Sequence, residues 1–561
     1  MNRPSTASAS LPNPALVSRQ AAQRLPRWVL LLFCAAYVLP GVFGREPWKN
    51  ADLTAMGYML ALARGESSWL APTLVGVPAE GGLLPYWIGS VSIQLLGGWL
   101  GPALAARLPF ALLLTATLAL LWYATYHLAR SDKAQPLAFA FGGEASPIDY
   151  ARTLADAALL ALIASLGLLQ LGHETTPELV QLAATVLFLY GLAAAPYRPW
   201  AAPLAVLAAL AALAISGAPA MGSMFGAVAL ALCLRSDDAG RRRFSGWVAL
   251  ATLAAAGLSA LVNAWTWRLA PGAPDLGLLR LLAWFTWPVW PLAAWTLWQW
   301  RRQLGHGHIA LPLGIATTGV LSCIAMGGND RALMLALPGL AVLGAFALPT
   351  LERSVSAAID WFSVFFFTAA GLIVWVMYLS VHAGMPAQPA INVSRLLPGF
   401  RAQFNGWELA IALAGTLAWA WLVRWRTGHH RHALWKSLIL PAGGVAWGWL
   451  LTMTLWLPIL DYARSARPMV RQLARALPEG QCLIAANAGR AQLAALYVHG
   501  AWRLTTDMDA PGCRWMVVHH SRRLPPLTEV NGRPLTKGWT FVREVERKAE
   551  RNETLLIYRR G

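Results

Sequence analysis

The chain has 561 residues, 57% of them hydrophobic and only 13% charged, with a formal net charge of +19. A water-soluble globular chain carries roughly 25% charged residues, so a soluble single domain is excluded. Long Leu- and Ala-rich runs without period-2 alternation exclude an outer-membrane barrel, and basic residues spread over loops with no nucleic-acid motif exclude a nucleic-acid partner.

In chain order, residues 1–27 form a polar, basic tail with no cleavage site after the next apolar run, which reads as a signal anchor with a cytoplasmic tail. Thirteen apolar runs follow: 28–44, 104–129, 153–171, 178–195, 200–217, 219–234, 246–264, 281–300, 309–326, 332–349, 360–382, 408–423 and 437–457. Each reaches most or all of the way across a hydrocarbon core about 30 Å thick. The basic stretches RSDDAGRRR, RRQLGHGH and RWRTGHHRH then fall on one side. By the positive-inside rule that side is cytoplasmic, and the last hundred residues lie outside.

The long loop 45–102 breaks this rhythm. ADLTAMGYMLALARG places Leu53, Met56, Met59, Leu60 and Leu62 near one helical face, closed by Gly65 as a C-cap. It predicts an amphipathic helix in the interface. LLPYWIGSVSIQLLGGWLG (83–101) predicts a second, with Trp87 and Trp99 at headgroup depth. Counting 83–101 as a span would invert every later loop and spoil the charge asymmetry. The two helices make a platform at the water–lipid boundary, suited to a substrate that hangs from a lipid.

Chemistry-bearing residues gather on the same side. Asp52 follows Asn50 at the start of the first interfacial helix, where either fits a helix cap; as a carboxylate just outside the membrane, Asp52 could orient or deprotonate an acceptor hydroxyl. Glu46 is the alternative. In GHETTPELV, Thr176, Pro177 and Glu178 read as a helix start, which leaves His173 and Glu174 unexplained. They could face Asp52 and bind an acceptor; a divalent metal there has only a weak signal. Arg331, beside Asp330 in GGNDRALML, suits a lipid phosphate, which a guanidinium grips in bidentate fashion. Arg45, Lys49 and Arg64 are further cations at that depth, as are Arg395 and Arg401. No nucleotide-binding or hydrolase motif occurs.

Residues 458–561 change character. QCLIAANA, CRWMVVHH and TLLIYRR read as strands, and ARPMVRQLARAL and AQLAALYVHG as helices, predicting a small α/β domain tethered by the last span. Cys482 and Cys513 fall within it, where an oxidising exterior permits a disulfide.

The stretch G…W…PTL.G.P.E…YW followed by AARLPF resembles the membrane glycosyltransferases of the C-type fold, in particular the bacterial aminoarabinose (lipid A) transferase group and the protein O-mannosyltransferase superfamily. The matching residues are Asp52, Gly65, Trp69, Pro72, Gly76, Pro78, Glu80, Tyr86, Trp87, Arg107 and Leu108. The resemblance implies a helical polytopic domain with a small periplasmic α/β domain in a bacterial inner membrane. It also implies a polyprenyl-phosphate sugar donor, a lipid, glycan or protein acceptor, and Asp52 acting on that acceptor. Glu80, Tyr86 and Trp87 would line the acceptor cavity with His173. Two departures stand out. An Asp-Glu pair in the family is reduced to Asp52 after Asn50-Ala51, and the family's Glu-Lys-Pro-Pro reads Glu80-Gly81-Gly82-Leu83, so the lysine expected to meet the donor phosphate is missing at Gly81. The rival readings are a lipid-linked sugar transporter and a catalytically silent relative acting as an envelope scaffold.

Overall fold

The computed structural model describes residues 13–48, 50–266, 271–273, 276–428, 433–521, 529–530, 533–534, 538–546 and 553–561. A helix occupies each of the thirteen predicted apolar runs, but three runs are interrupted. In the run 153–171 the helix Pro147–Ala164 stops and a short helix, Leu168–Leu171, follows. The run 281–300 is split at Trp287-Pro288 into Gly277–Phe285 and Val289–Gln299, and the run 332–349 divides into Asp330–Met334 and Leu337–Ala347. Pro288 has no N–H to donate to the helical ladder, so the helix before it cannot continue through. Among the described residues, seven helices are long and apolar enough to cross a membrane: Pro102–Ala129, Pro177–Ala194, Ala239–Leu261, Gly307–Ala325, Arg353–Ala383, Gly406–Gly428 and Lys436–Thr454. The chain is a multi-pass membrane protein; thirteen crossings are not established by length and hydropathy.

The described part of the tail is docked rather than loose. Ala15, Val17, Ala22 and Leu25 are buried. The Leu25 N–H donates to Asp156 Oδ2 at 3.0 Å, and Trp122 Nε1 donates to the other oxygen at 2.8 Å. A carboxylate inside a helical body is stable only when so paired.

The helix Ala51–Ala63 ends as the sequence predicts. Gly65 is left-handed (φ 73°), its N–H meets the Leu62 carbonyl, and the Glu66 N–H meets the Ala61 carbonyl, which is the Schellman arrangement. The expected amphipathic exposure is overturned. Asp52, Leu53 and every residue from Ala55 to Leu62 are buried, because this helix packs against both the helix Leu83–Leu100 and the helix Arg490–His499 of the C-terminal region. Gly57 permits the second contact: a Cβ there would stand 2.9 Å from Ala494 Cβ.

The C-terminal region forms a five-stranded sheet in the order Arg503–Thr505, Cys482–Ala486, Trp515–Ser521, Glu553–Arg560, Trp539–Glu546. The first three strands are parallel and the remaining pairings antiparallel. Alternation along the strands sends Leu483, Ala485, Val517 and Ile557 into the core shared with the helical body, and Ile484, Ala486, Met516 and Val518 into a small second core. All three strands and both helices read from the sequence are present.

Cys482 and Cys513 are joined, with Cα atoms 4.8 Å apart and 31 residues of separation. Closing a loop of that length restricts the unfolded chain by about 3–4 kcal/mol. Cys513→Ser is expected to lower the unfolding temperature of this region by several degrees without affecting insertion, checked by thermal unfolding of wild type and variant.

Candidate active site

The helix Ala51–Ala63 presents Asp52 in its first turn, but Asp52 caps nothing. Asn50 stands at the cap position with φ 69° and makes no side-chain cap bond. The Asp52 carboxylate reaches sideways to two segments, the turn at Thr175 and the loop that carries Arg45 and Trp48. Its Oδ1 accepts from the Thr175 N–H at 2.9 Å and the Thr175 hydroxyl at 2.6 Å. Its Oδ2 accepts from Arg45 Nη2 at 3.3 Å and the Trp48 N–H at 3.2 Å. Four donors fill the roughly four lone-pair sites of a carboxylate. Burial alone would raise its pKa, but the charges of Arg45 and Arg107 and the two Thr175 bonds outweigh burial and lower it. Asp52 is therefore ionised and fixed.

Arg45 is fully buried, and its Nη2 also donates to the His173 carbonyl at 2.6 Å. Arg107 donates to the Val42 carbonyl at 3.0 Å. Arg45 Nε, Arg45 Nη1 and Arg107 Nε are buried without a hydrogen-bond partner. The charges of Arg45 and Arg107 both act on the Asp52 carboxylate, and those of Asp461 and Glu46 act on Arg107. The space beside Arg107, lined also by His173, Val42 and Phe110, is only about 10 Å³, too small for a phosphate.

Glu174 follows on the turn between the helices Pro147–Ala164 and Pro177–Ala194. Its Oε1 accepts from Gln170 Nε2 at 2.9 Å and its Oε2 from Arg331 Nη2 at 2.6 Å. Burial pushes its pKa up, Arg331 opposes this, and the Asp52 charge adds to the rise; the net direction is upward. Two neighbouring carboxylates thus have their pKa values driven apart, the pattern that separates a base from an orienting group. Arg331 is held by Glu174, by Glu178 at 3.1 Å and by the Thr176 hydroxyl at 3.2 Å, rather than by Asp330 as its sequence position suggests. Thr176, the expected N-cap, makes no cap bond of its own.

His173 is structural. Its ring nitrogens lie 2.8 Å from the Tyr37 carbonyl and 2.7 Å from the Leu169 carbonyl, and the ring packs between Tyr37 and Trp449. Burial drives its pKa down to about 4. With both nitrogens facing backbone, neither is presented to a metal or an acceptor. Among the described residues no three His, Cys, Asp or Glu side chains gather in a metal-binding group.

The remaining sequence candidates divide. Glu46 joins the cluster, where its side chain pairs with Arg467. Lys49 lies outside the described residues. Arg64 lies at the far end of the helix from Asp52, roughly 18 Å along the axis at 1.5 Å per residue. It stacks over Tyr497 and lines a separate cleft of about 620 Å³, so it is removed from the site. Trp87 ties the loop together by donating from Nε1 to the Trp69 carbonyl at 2.7 Å, and Tyr86 is buried against Tyr58. Glu80 is exposed and pairs with Arg490 at 2.6 Å. Arg395 and Arg401 are exposed on the segment 387–401.

Sequence reasoning missed the segment after the last long helix. Asp461, on the helix Leu457–Arg464, accepts from Trp48 Nε1 at 2.7 Å and from the Glu46 N–H at 3.3 Å. Burial raises its pKa to about 6, against those two bonds and with the Glu46 charge adding to the rise. Arg464 stacks over Trp48 at 4.9 Å and donates to Gln170 Oε1 at 2.7 Å. Gln170 thereby links Arg464 to Glu174, and Trp48 links Asp461 to Asp52. An acid immediately after an apolar run was the only sequence signal for Asp461.

No family model and no curated protein sequence matches this chain. Solved structures do match. ArnT from Cupriavidus metallidurans bound to undecaprenyl phosphate superposes with a TM-score of 0.60 and 15% identity, covering 95% of this chain and 97% of that one. The apo form of the same protein gives 0.61 and 14%, covering 95% and 98%. The archaeal oligosaccharyltransferase AglB from Archaeoglobus fulgidus gives 0.44 and 11%, covering 88% and 69%. The chain thus has the ArnT fold over nearly its whole length, the C-type fold that the sequence resemblance implied.

Proposed function

We propose that this chain is a membrane glycosyltransferase that moves a sugar from a polyprenyl-phosphate carrier to an acceptor on the extracytoplasmic face. The observation that carries the reading is the pair Asp52 and Glu174, two buried carboxylates with opposite pKa shifts, one in the first turn of the helix Ala51–Ala63 and one on the turn bonded to it through Thr175, in an ArnT fold. Glu174, with its raised pKa, takes the proton of an acceptor hydroxyl. The acceptor oxygen bonds to the anomeric carbon, the bond from that carbon to the carrier phosphate breaks, and polyprenyl phosphate leaves. Attack from the face opposite the phosphate inverts the anomeric centre. Asp52, saturated by four donors and held ionised, fixes the turn that carries Glu174. An acceptor that is already an anion needs no base, and Asp52 then acts only by fixing that turn. Undecaprenyl phosphate bound to the solved ArnT supports this class of donor.

The second reading, a catalytically silent relative, is favoured by one observation: Asp52 has no lone-pair site to spare. Purified protein in bilayers with radiolabelled polyprenyl-phosphate sugars separates the readings. Label appearing in an acceptor supports transfer. Label crossing the bilayer unchanged indicates a transporter, and neither outcome across a panel of donors indicates the silent relative.

The proposed orientation is tested separately. Single cysteines at Ser68 and Glu479, both exposed, are expected to react with an impermeant thiol reagent from outside intact cells, while one at Asp237 is not. Reaction of the first two only from the cytoplasmic side overturns the topology.

A further inference from the structure

A lipid phosphate needs a cation with access to it, and the structure removes most candidates. Arg45 and Arg107 are sealed in the interior. Arg331 is gripped by two carboxylates, and Arg464 serves Gln170 and Trp48. The loop 78–82 cannot supply a side chain from position 81. A Cβ on Gly81 would stand 2.4 Å from the Tyr86 hydroxyl oxygen and 2.9 Å from Pro177 Cγ, so a lysine has no room there.

A different cation reaches the same loop from another part of the chain. Arg490 opens the C-terminal helix Arg490–His499, which packs on the helix Ala51–Ala63. Its Nε donates to the Pro78 carbonyl at 3.1 Å, and its Nη1 meets Glu80 Oε1 at 2.6 Å. The Tyr58 hydroxyl, itself 3.1 Å from the Pro78 carbonyl, lies beside the guanidinium. Arg490 is 31% exposed and its partner Glu80 is 75% exposed. An exposed pair of this kind is weak and exchangeable, whereas a phosphate offers bidentate geometry and at least one full charge. The loop also adjoins the reacting groups, because Pro177, against Gly81, follows directly on Thr175 and Thr176.

We propose that Arg490, delivered by the C-terminal domain, is the guanidinium that receives the phosphate of the polyprenyl carrier at the loop 78–82. The inference rests on the glycosyltransferase reading. The C-terminal domain then completes the donor site instead of merely standing beside it, and Glu80 holds Arg490 in place until the phosphate displaces it.

The test is binding, not turnover. Full-length protein in nanodiscs is titrated with polyprenyl phosphate and with the uncharged polyprenol of the same length. Wild type is expected to prefer the phosphate. Arg490→Ala should weaken phosphate binding roughly tenfold or more and leave polyprenol unchanged; alanine is a good helix former, so the helix persists. Arg490→Lys should retain part of the preference. Glu80→Gln should bind the phosphate at least as well as wild type. Arg471→Ala, an exposed cation of the same domain, serves as the charge control. If Arg490→Ala matches that control while wild type still prefers the phosphate, Arg490 is not the receptor and the glycosyltransferase reading survives. If Glu80→Gln falls as far as Arg490→Ala, the pair is structural and the proposal fails. If wild type itself does not distinguish phosphate from alcohol, the donor reading fails first.

Discussion

Asp52→Asn is expected to lower transfer by at least about a hundredfold and to destabilise the protein by about 3–5 kcal/mol. Asparagine conserves size and would substitute well for a capping aspartate, but Asp52 is not a cap. Its two oxygens accept from four donors. An amide NH₂ must oppose either the Thr175 pair or Arg45 and the Trp48 N–H, and Arg45, fully buried, loses its counter-charge. Transfer and thermal unfolding are measured together, with Arg45→Gln and the double variant. A double variant that regains stability but not transfer supports the proposed role. Recovery of both assigns Asp52 to structure alone. The pH sign follows from the depressed pKa: the stabilisation by ionised Asp52 is full above the unfolded value near 4 and is lost as the pH falls toward the lower folded value.

Glu174→Gln is expected to reduce transfer to a hydroxyl acceptor by about 10²–10⁴ while the protein stays folded. The amide oxygen can still accept from Arg331, and Glu178 remains as that arginine's carboxylate partner. A base must be ionised to act, so wild-type kcat/KM rises with pH through the Glu174 pKa. Because that pKa is raised, the acidic limb lies above that of an ordinary glutamate. The glutamine variant should lose this limb. Retention of the same limb and rate moves the base elsewhere, with Asp461, raised to about 6, as the group to examine next. An anionic acceptor predicts a smaller loss for Glu174→Gln and no limb in the wild type from this residue.

Local signals in the chain determined the helices of the apolar runs, the Gly65 cap and three of the five strands of the C-terminal sheet, and singled out Asp52 as a candidate. Hydrophobic runs, glycine's freedom at positive φ and strand alternation are short-range properties, each read within a few residues. The breaks inside the apolar runs were less legible. The apolar composition of 281–300 continues straight through Trp287-Pro288, while the helix does not.

Partnership was decided by the tertiary structure. Arg45 and Arg331 look alike in sequence as cations near headgroup depth. One is buried on Asp52 and the other is clamped by Glu174 and Glu178, because helices far apart in sequence bring the turn 172–176 against the loop 44–52. Arg64 and Asp52 lie along the same stretch of helix, yet its length separates them. The helix Ala51–Ala63 has the composition of an interfacial helix, but it is enclosed because the helix Arg490–His499 covers its outward side at Gly57. Asp461 and Arg490 carry little local mark. They gain chemistry only because the C-terminal region folds back over the first loop, placing charges more than four hundred residues downstream within hydrogen-bond distance of Glu46, Trp48 and Pro78. Burial and distance set a side chain's charge state and its partners, and neither quantity exists until the chain is folded.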